Sequence, residues 1–197
     1  QPLSVCRPWI IPAESGYRMY YVWAMPDVIA MRYRICTATS KDLKKWEIKA
    51  EPVIESFQGN EHIASPCAVR VDGHIRMYFT ASRQHQKGDK VYAAESTDGE
   101  HFTVDKKAIY APEGGTEYES SCYTPSIFQK DGKWKMVFSG MSKKGRYTTF
   151  IADSTDGVKF NRGKSLISQE TDVRFKNGAY KAVFFEDYVY FVGVDGN

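Results

Sequence analysis

Three carboxylates stand shortly ahead of recurring apolar runs. Glu61 lies five residues before Pro66, Glu119 six before Pro125, and Asp172 seven before Ala179, which is read as taking the proline's place. Such a pair suits general acid–base chemistry, in which one carboxyl held protonated donates to a leaving group and a second, ionised, attacks or activates water. Glu119 sits among Tyr118, Ser120, Ser121 and Tyr123, groups that can partly desolvate a carboxyl and fix its orientation. It is the first choice of the three, with Glu61 or Asp172 across from it, and the bland reading of each is a solvated loop acid.

Basic groups accompany the acids. Arg7, directly before Pro8, can hold a carboxylate or a phosphate through its bidentate fork, or form a structural ion pair. His62 can serve as acid or base near neutral pH, although a lone histidine is also a common surface residue. Lys181, with Arg174 and Lys176, adds positive charge in the last segment, and together these cations hint at an anionic substrate. The expected substrate contacts are Arg7, His62, Tyr118, Tyr123 and Lys181. The cysteines, Cys6, Cys36, Cys67 and Cys122, lie 30 or more residues apart with no C-x-x-C pair, so neither a metal site nor a cofactor is expected, and buried free thiols are.

A repeat positions these residues. RPWIIPAESGYRMYYVWAM, SPCAVRVDGHIRMYFTA and TPSIFQKDGKWKMVFSG share one plan, and each leads to a further run that ends in a Ser-x-Asp turn. Pro8, Pro66 and Pro125 are 58 and 59 apart, as are Met19, Met77 and Met136, while Ser40, Ser96 and Ser154 are 56 and 58 apart. Three anchors keeping one period mark a repeat architecture. A fourth copy begins at NGAYKAVFFEDYVYFVGVDGN. Within each copy the runs are short, rich in Tyr, Phe, Val and Met, and joined by Asp-Gly or Ser-Gly turns, which is β throughout. The Ser-x-Asp units at Ser40, Ser96 and Ser154 read as hairpin staples, with Asp bonding its own turn and the following aromatic packing back beneath it.

Composition agrees with a folded β domain. The chain of 197 residues is 42% hydrophobic, 26% charged and 14% aromatic, inside the globular range. Twenty-seven basic against 24 acidic residues leave +3, too balanced to make nucleic acid or an acidic membrane the main partner. No apolar run reaches the roughly 18 residues of a membrane helix, and no signal segment or N-x-[ST] sequon is visible, so a cytoplasmic location is expected.

Four short antiparallel strands per repeat fit a β-propeller blade better than a sandwich. The motif of a proline-led run, a DG turn, a Met-centred aromatic run and an S-x-DG turn resembles the blades of five-bladed propeller glycosidases: arabinanases, xylosidases, invertases, levansucrases and uncharacterised relatives. The resemblance covers nearly the whole chain. It implies an all-β, five-bladed type of propeller with about three and a half blades present: repeats about 3–48, 61–106 and 117–163, and a partial one at 174–197. Five blades of this period need about 285 residues, so residues 1–197 read as one incomplete propeller domain, its ring closed by further blades of the same protein or by an oligomer partner.

The resemblance also implies a site at the central channel, with acids one or two places before the proline. Those places hold Arg7, Ser65 and Thr124, and before them Cys6, Ala64 and Tyr123; none is a carboxylate. The implied function is a glycosidase-like protein acting on a sugar or glycoside through Glu119, Glu61 and Asp172. The alternatives are a non-catalytic propeller that binds a glycan or a protein, and unrelated small-molecule chemistry on the same scaffold.

Overall fold

The computed structural model describes residues 4–26, 31–60, 62–83, 88–112, 120–142, 145–168, 174 and 176–194. No α-helix occurs among them. The chain forms two compact units, Gln1–Gln86 with Tyr92–Lys107, and Lys87–Val91 with Ala108–Asn197.

In the first unit, β1 (Ser4–Ala13), β2 (Gly16–Pro26), β3 (Met31–Ser40) and β4 (Glu47–Ile48) pair in sequence as an antiparallel blade. A second blade follows from β5 (His62–Val71), β6 (His74–Ser82), β7 (Lys90–Ser96) and β8 (Thr103–Val104), with the first residues of β7 clustering in the second unit. One parallel pair, Tyr33 with His62, joins the two blades. The second unit holds β9 (Ser121–Lys130), β10 (Lys133–Met141), β11 (Tyr147–Ser154) and β12 (Lys164–Ile167) in the order β12-β11-β10-β9, and the hairpin of β13 (Ala179–Phe185) and β14 (Tyr188–Gly193).

Turn chemistry explains the hairpins. Asp72-Gly73 has φ of 47° and 83°, and Asp131-Gly132 has 52° and 70°, the doubly positive pattern whose twist matches that of the flanking strands. Glu186-Asp187 adopts the same pattern at 46° and 66° without a glycine. Each Ser-x-Asp unit behaves as its residue types predict. The Ser154 hydroxyl accepts from Gly157 N–H at 3.0 Å, and Asp156 Oδ1 accepts from the amides of Val158 and Lys159 at 2.8 and 2.7 Å. Equivalent bonds hold Asp42 and Asp98. These amides hold the Asp156 carboxyl down to about 2, and those of Lys45 and Lys44 lower that of Asp42.

The second strand of each blade is its core. Tyr20 and Val22, Met77 through Phe79, and Met136 through Phe138 are fully buried. The Asp98 turn docks on the neighbouring blade, where Tyr20 and Arg18 donate to the Gly99 carbonyl at 2.9 and 3.1 Å and Phe102 meets Tyr20 edge to face. All four thiols are free, with Cys36, Cys67 and Cys122 buried, and burial pushes the Cys36 thiol up to about 12. On the last hairpin Phe185, Tyr188, Tyr190 and Val192 are exposed.

Candidate functional site at the inner-strand bulges

The first strand of every repeat breaks register at one place. Between Cys6 and Trp9, Ala64 and Cys67, Tyr123 and Ser126, and Tyr180 and Val183, two residues face one on the second strand. These are β-bulges. They explain how a proline sits inside a strand: Pro8, Pro66 and Pro125 have no N–H to give to the ladder, and a bulge asks for none. The strands therefore run through their prolines. The residues opposite, Tyr21, Phe79 and Phe138, are buried aromatics.

The leading residue of each bulge is left-handed although none is glycine: Arg7 (φ 54°), Ser65 (54°), Thr124 (48°) and Lys181 (53°). That conformation costs an L-residue about 1–2 kcal/mol. The same conformation recurs at one register in four strands, the geometry of a bulge whose first residue turns left-handed. The bulge also corrects the alignment of the fourth repeat. Ala182, not Ala179, stands where the other copies have proline, so Lys181 matches Arg7, Ser65 and Thr124, and Asp172 lies ten residues ahead of the proline position rather than seven. The spacing failed there because the fourth copy lacks the proline that anchors the other three.

Hydroxyls satisfy the bulges. In the first unit the Arg7 guanidinium donates to Ser65 Oγ at 3.4 Å, and Thr80 donates to the Ala64 carbonyl at 3.1 Å. In the second unit the fully buried Ser139 accepts from the Lys181 amide at 3.1 Å and lies 3.3 Å from Thr124 Oγ1. His62 packs against Tyr33 with ring centroids 4.3 Å apart.

The second unit gathers aromatic groups beside its bulges. Tyr180 lies 4.7 Å from Tyr147 and 6.5 Å from Tyr123, centroid to centroid, and the Lys181 ammonium sits 5.5 Å from the Tyr180 ring centroid. All three tyrosines are half-buried. Next to them is a carboxylate that the sequence reading passed over. Asp89 is 6% exposed, its carbonyl accepts from Cys122 N–H at 3.0 Å, and its side chain hydrogen-bonds with that of Tyr123. The signal was available, because Asp89 keeps the 56- and 58-residue offsets of the serine anchors and so stands where other repeats place Tyr33 and Tyr147.

Burial, and further the Asp89 charge, push the Tyr123 phenol up to about 12, against a hydrogen bond from Ser121 that favours the phenolate. A carboxylate disfavours a neighbouring anion, so Asp89→Asn should lower the Tyr123 pKa while burial keeps it above that of a free tyrosine. Phenolate absorbance titration of the two proteins checks this. An unchanged or higher value in the variant would remove Asp89 as the cause.

Of the predicted site residues, the structure brings Tyr123 and Lys181 together within the second unit and places Arg7 and His62 on the inner strands of the first. Glu61, Tyr118, Glu119 and Asp172 lie outside the described residues. Among the described residues no group of three or more His, Cys, Asp or Glu is arranged to hold a metal ion, and no helix is long and apolar enough to cross a membrane.

Repeated four-stranded antiparallel blades are those of a β-propeller. Residues 10–178 match the model of the glycosyl hydrolases family 32 N-terminal domain, and the chain belongs to that family. A curated relative, the uncharacterized protein MT1551 of Mycobacterium tuberculosis (strain CDC 1551 / Oshkosh), is 30% identical over 154 residues, covering 71% of this chain and 47% of that protein. The chain thus spans about half the length of the curated relative it matches. Among solved structures, the Bombyx mori GH32 beta-fructofuranosidase BmSUC1 is similar with a TM-score of 0.71 at 13% identity, over 93% of this chain and 41% of that one. Sucrose-6-phosphate hydrolase from Lactobacillus gasseri gives 0.71 at 17%, over 98% and 42%. Beta-1,2-mannobiose phosphorylase from Listeria innocua gives 0.68 at 14%, over 84% and 60%. At these identities the likeness is one of fold.

Proposed function

We propose that the protein is a carbohydrate-active, glycosidase-like propeller that acts on a sugar or glycoside, with Glu119 and either Glu61 or Asp172 as its acid and base carboxylates. The observation that carries this reading is the cluster of Tyr123, Tyr147 and Tyr180 beside Asp89 and Lys181. Tyrosine faces stack on the apolar faces of sugar rings, and a few convergent polar groups orient the hydroxyls. The bulge positions hold no carboxylate, so the reading draws its acids from the segments that approach the inner strands. Glu61 and Glu119 precede the first residues of β5 and β9 by one and two positions. Family membership and the sugar-directed names of the structural relatives support a carbohydrate ligand.

That same absence of carboxylates favours a second reading, a non-catalytic propeller that binds a glycan or a protein. The exposed apolar side chains of the last hairpin support cover by further blades of the same protein or by a partner. The buried free thiols support a reducing compartment such as the cytoplasm. Calorimetric titration of the full polypeptide with a panel of glycosides tests the carbohydrate reading. Tyr180→Ala should weaken binding of the best of them by up to about tenfold, from the roughly 0.5–1.5 kcal/mol of aromatic contact it removes. Equal affinity in the variant would take the tyrosine cluster out of the site.

A further inference from the structure

We propose that Asp89 is a positioning residue for sugar recognition, fixing the Tyr123 ring as one wall of the tyrosine cluster; this rests on the carbohydrate reading above. All the groups involved belong to the second unit. A chain of hydrogen bonds runs through them. The Gly88 N–H donates to Ser121 Oγ at 3.1 Å, the Ser121 hydroxyl bonds the Tyr123 phenol oxygen, and the phenol hydroxyl bonds the Asp89 carboxylate. A carboxylate only accepts, so the phenol gives its one proton to Asp89 and receives that of Ser121. Each hydroxyl thus donates once and accepts once, and an amide at one end and a carboxylate at the other fix the direction of the chain. Asp89 is itself anchored: its carbonyl accepts from Cys122 N–H at 3.0 Å, and Asp89 and Ser121 are both buried.

The repeat gives an independent argument. Tyr147 stands in the third repeat where Asp89 stands in the second, and Tyr180, directly before the left-handed Lys181, stands where Tyr123 precedes Thr124. Tyr147 and Tyr180 meet ring to ring, with centroids 4.7 Å apart, whereas Asp89 and Tyr123 are joined at the same two places by a hydrogen bond. Tyr33 and Tyr147 show that the fold is served by an aromatic ring at this register, and a buried carboxylate is the costlier choice. What the carboxylate adds is direction. Aromatic contacts spread over a broad range of geometries, while a hydrogen bond to a charged oxygen is short and aligned. The Tyr123 and Tyr180 rings meet at 80°, 6.5 Å apart, and such a corner contacts a sugar ring on two sides only while both walls keep their places.

The test is calorimetric titration of the full polypeptide with a panel of methyl hexopyranosides, methyl pentosides and disaccharides, the tightest binder then serving for the variants. Tyr123→Phe keeps the ring and removes the hydroxyl, and should weaken binding about three- to tenfold, the usual range for one hydrogen bond. Asp89→Leu, similar in size but without an acceptor, should do the same. Asp89→Asn, which keeps an oxygen for the phenol to bond, should lose less. Because Asp89 acts through that hydroxyl, Asp89→Leu combined with Tyr123→Phe should bind no more weakly than Tyr123→Phe alone. A merely structural carboxylate would lower the Tm of its variants and leave sugar affinity unchanged, and that result overturns the inference. Losses that multiply in the double variant overturn it too, for Asp89 would then act independently of Tyr123. Should Asp89→Leu fold poorly, Asp89→Asn takes its place in the double variant, and unchanged affinity in Tyr123→Phe is enough to reject the role. Each of these results leaves the carbohydrate reading standing. Binding of no member of the panel at millimolar concentration defeats that reading and this inference with it.

Discussion

Glu119→Gln in the full polypeptide is expected to cut turnover by about 10²- to 10⁴-fold, the usual contribution of a positioned general acid or base, while sugar affinity changes little. Glutamine keeps the shape and hydrogen-bonding reach of glutamate and removes the proton that the leaving oxygen requires. A loss in kcat at steady KM is therefore the signature of the proposed role, whereas a rise in KM alone would mean that Glu119 only binds. Asp172→Asn and Glu61→Gln identify the second carboxylate, since the true partner should show a loss of the same order. Turnover unchanged in Glu119→Gln would remove that residue from the mechanism. If no glycoside is turned over by the unmodified protein while several bind, the non-catalytic reading prevails.

Gly178→Ala is expected to destabilise the second unit by about 3 kcal/mol or more, the sum of backbone strain and overpacking. Gly178 has φ of +88°, and a Cβ there would lie inside the backbone carbonyl of Tyr147. The two residues pair as a parallel bridge, so neither backbone can retreat without releasing β13 from β11. The same movement would separate Tyr180 from Tyr147 and carry Lys181 with it. Gly73→Ala and Gly132→Ala are the controls, for both glycines have positive φ but open space around the missing Cβ. Each should cost only about 1 kcal/mol. Chemical denaturation of the three variants measures the ordering. A Gly178→Ala loss no larger than that of the controls would show that the bridge yields, and that the close approach does not set the strand's position.

Much of this was legible from local chemistry. The Ser-x-Asp staples at Asp42, Asp98 and Asp156 form because a short carboxylate bonds the amides two and three residues on, whatever surrounds it. The Asp-Gly turns set their own twist for the same reason. Even the bulges had a written sign, since a proline within a strand-like run belongs at a bulge. The fourth repeat lost that sign with its proline, and with it the true place of Lys181.

Other features depend on which strands meet. Asp89 looks like a linker acid in GDKVY, and only the pairing of its segment with the start of β9 puts it against Tyr123 and out of water. Tyr123, Tyr147 and Tyr180 come from three strands, and no spacing announces that their rings converge. The amino-acid sequence by itself determined the repeat, the β character, the turns and the blade type, because period and turn preference act over a few residues. Tertiary structure alone decided the left-handed residue at each bulge, the burial of Asp89 and the tyrosine cluster, because these follow from strand register, which is settled by contacts between residues far apart in the chain.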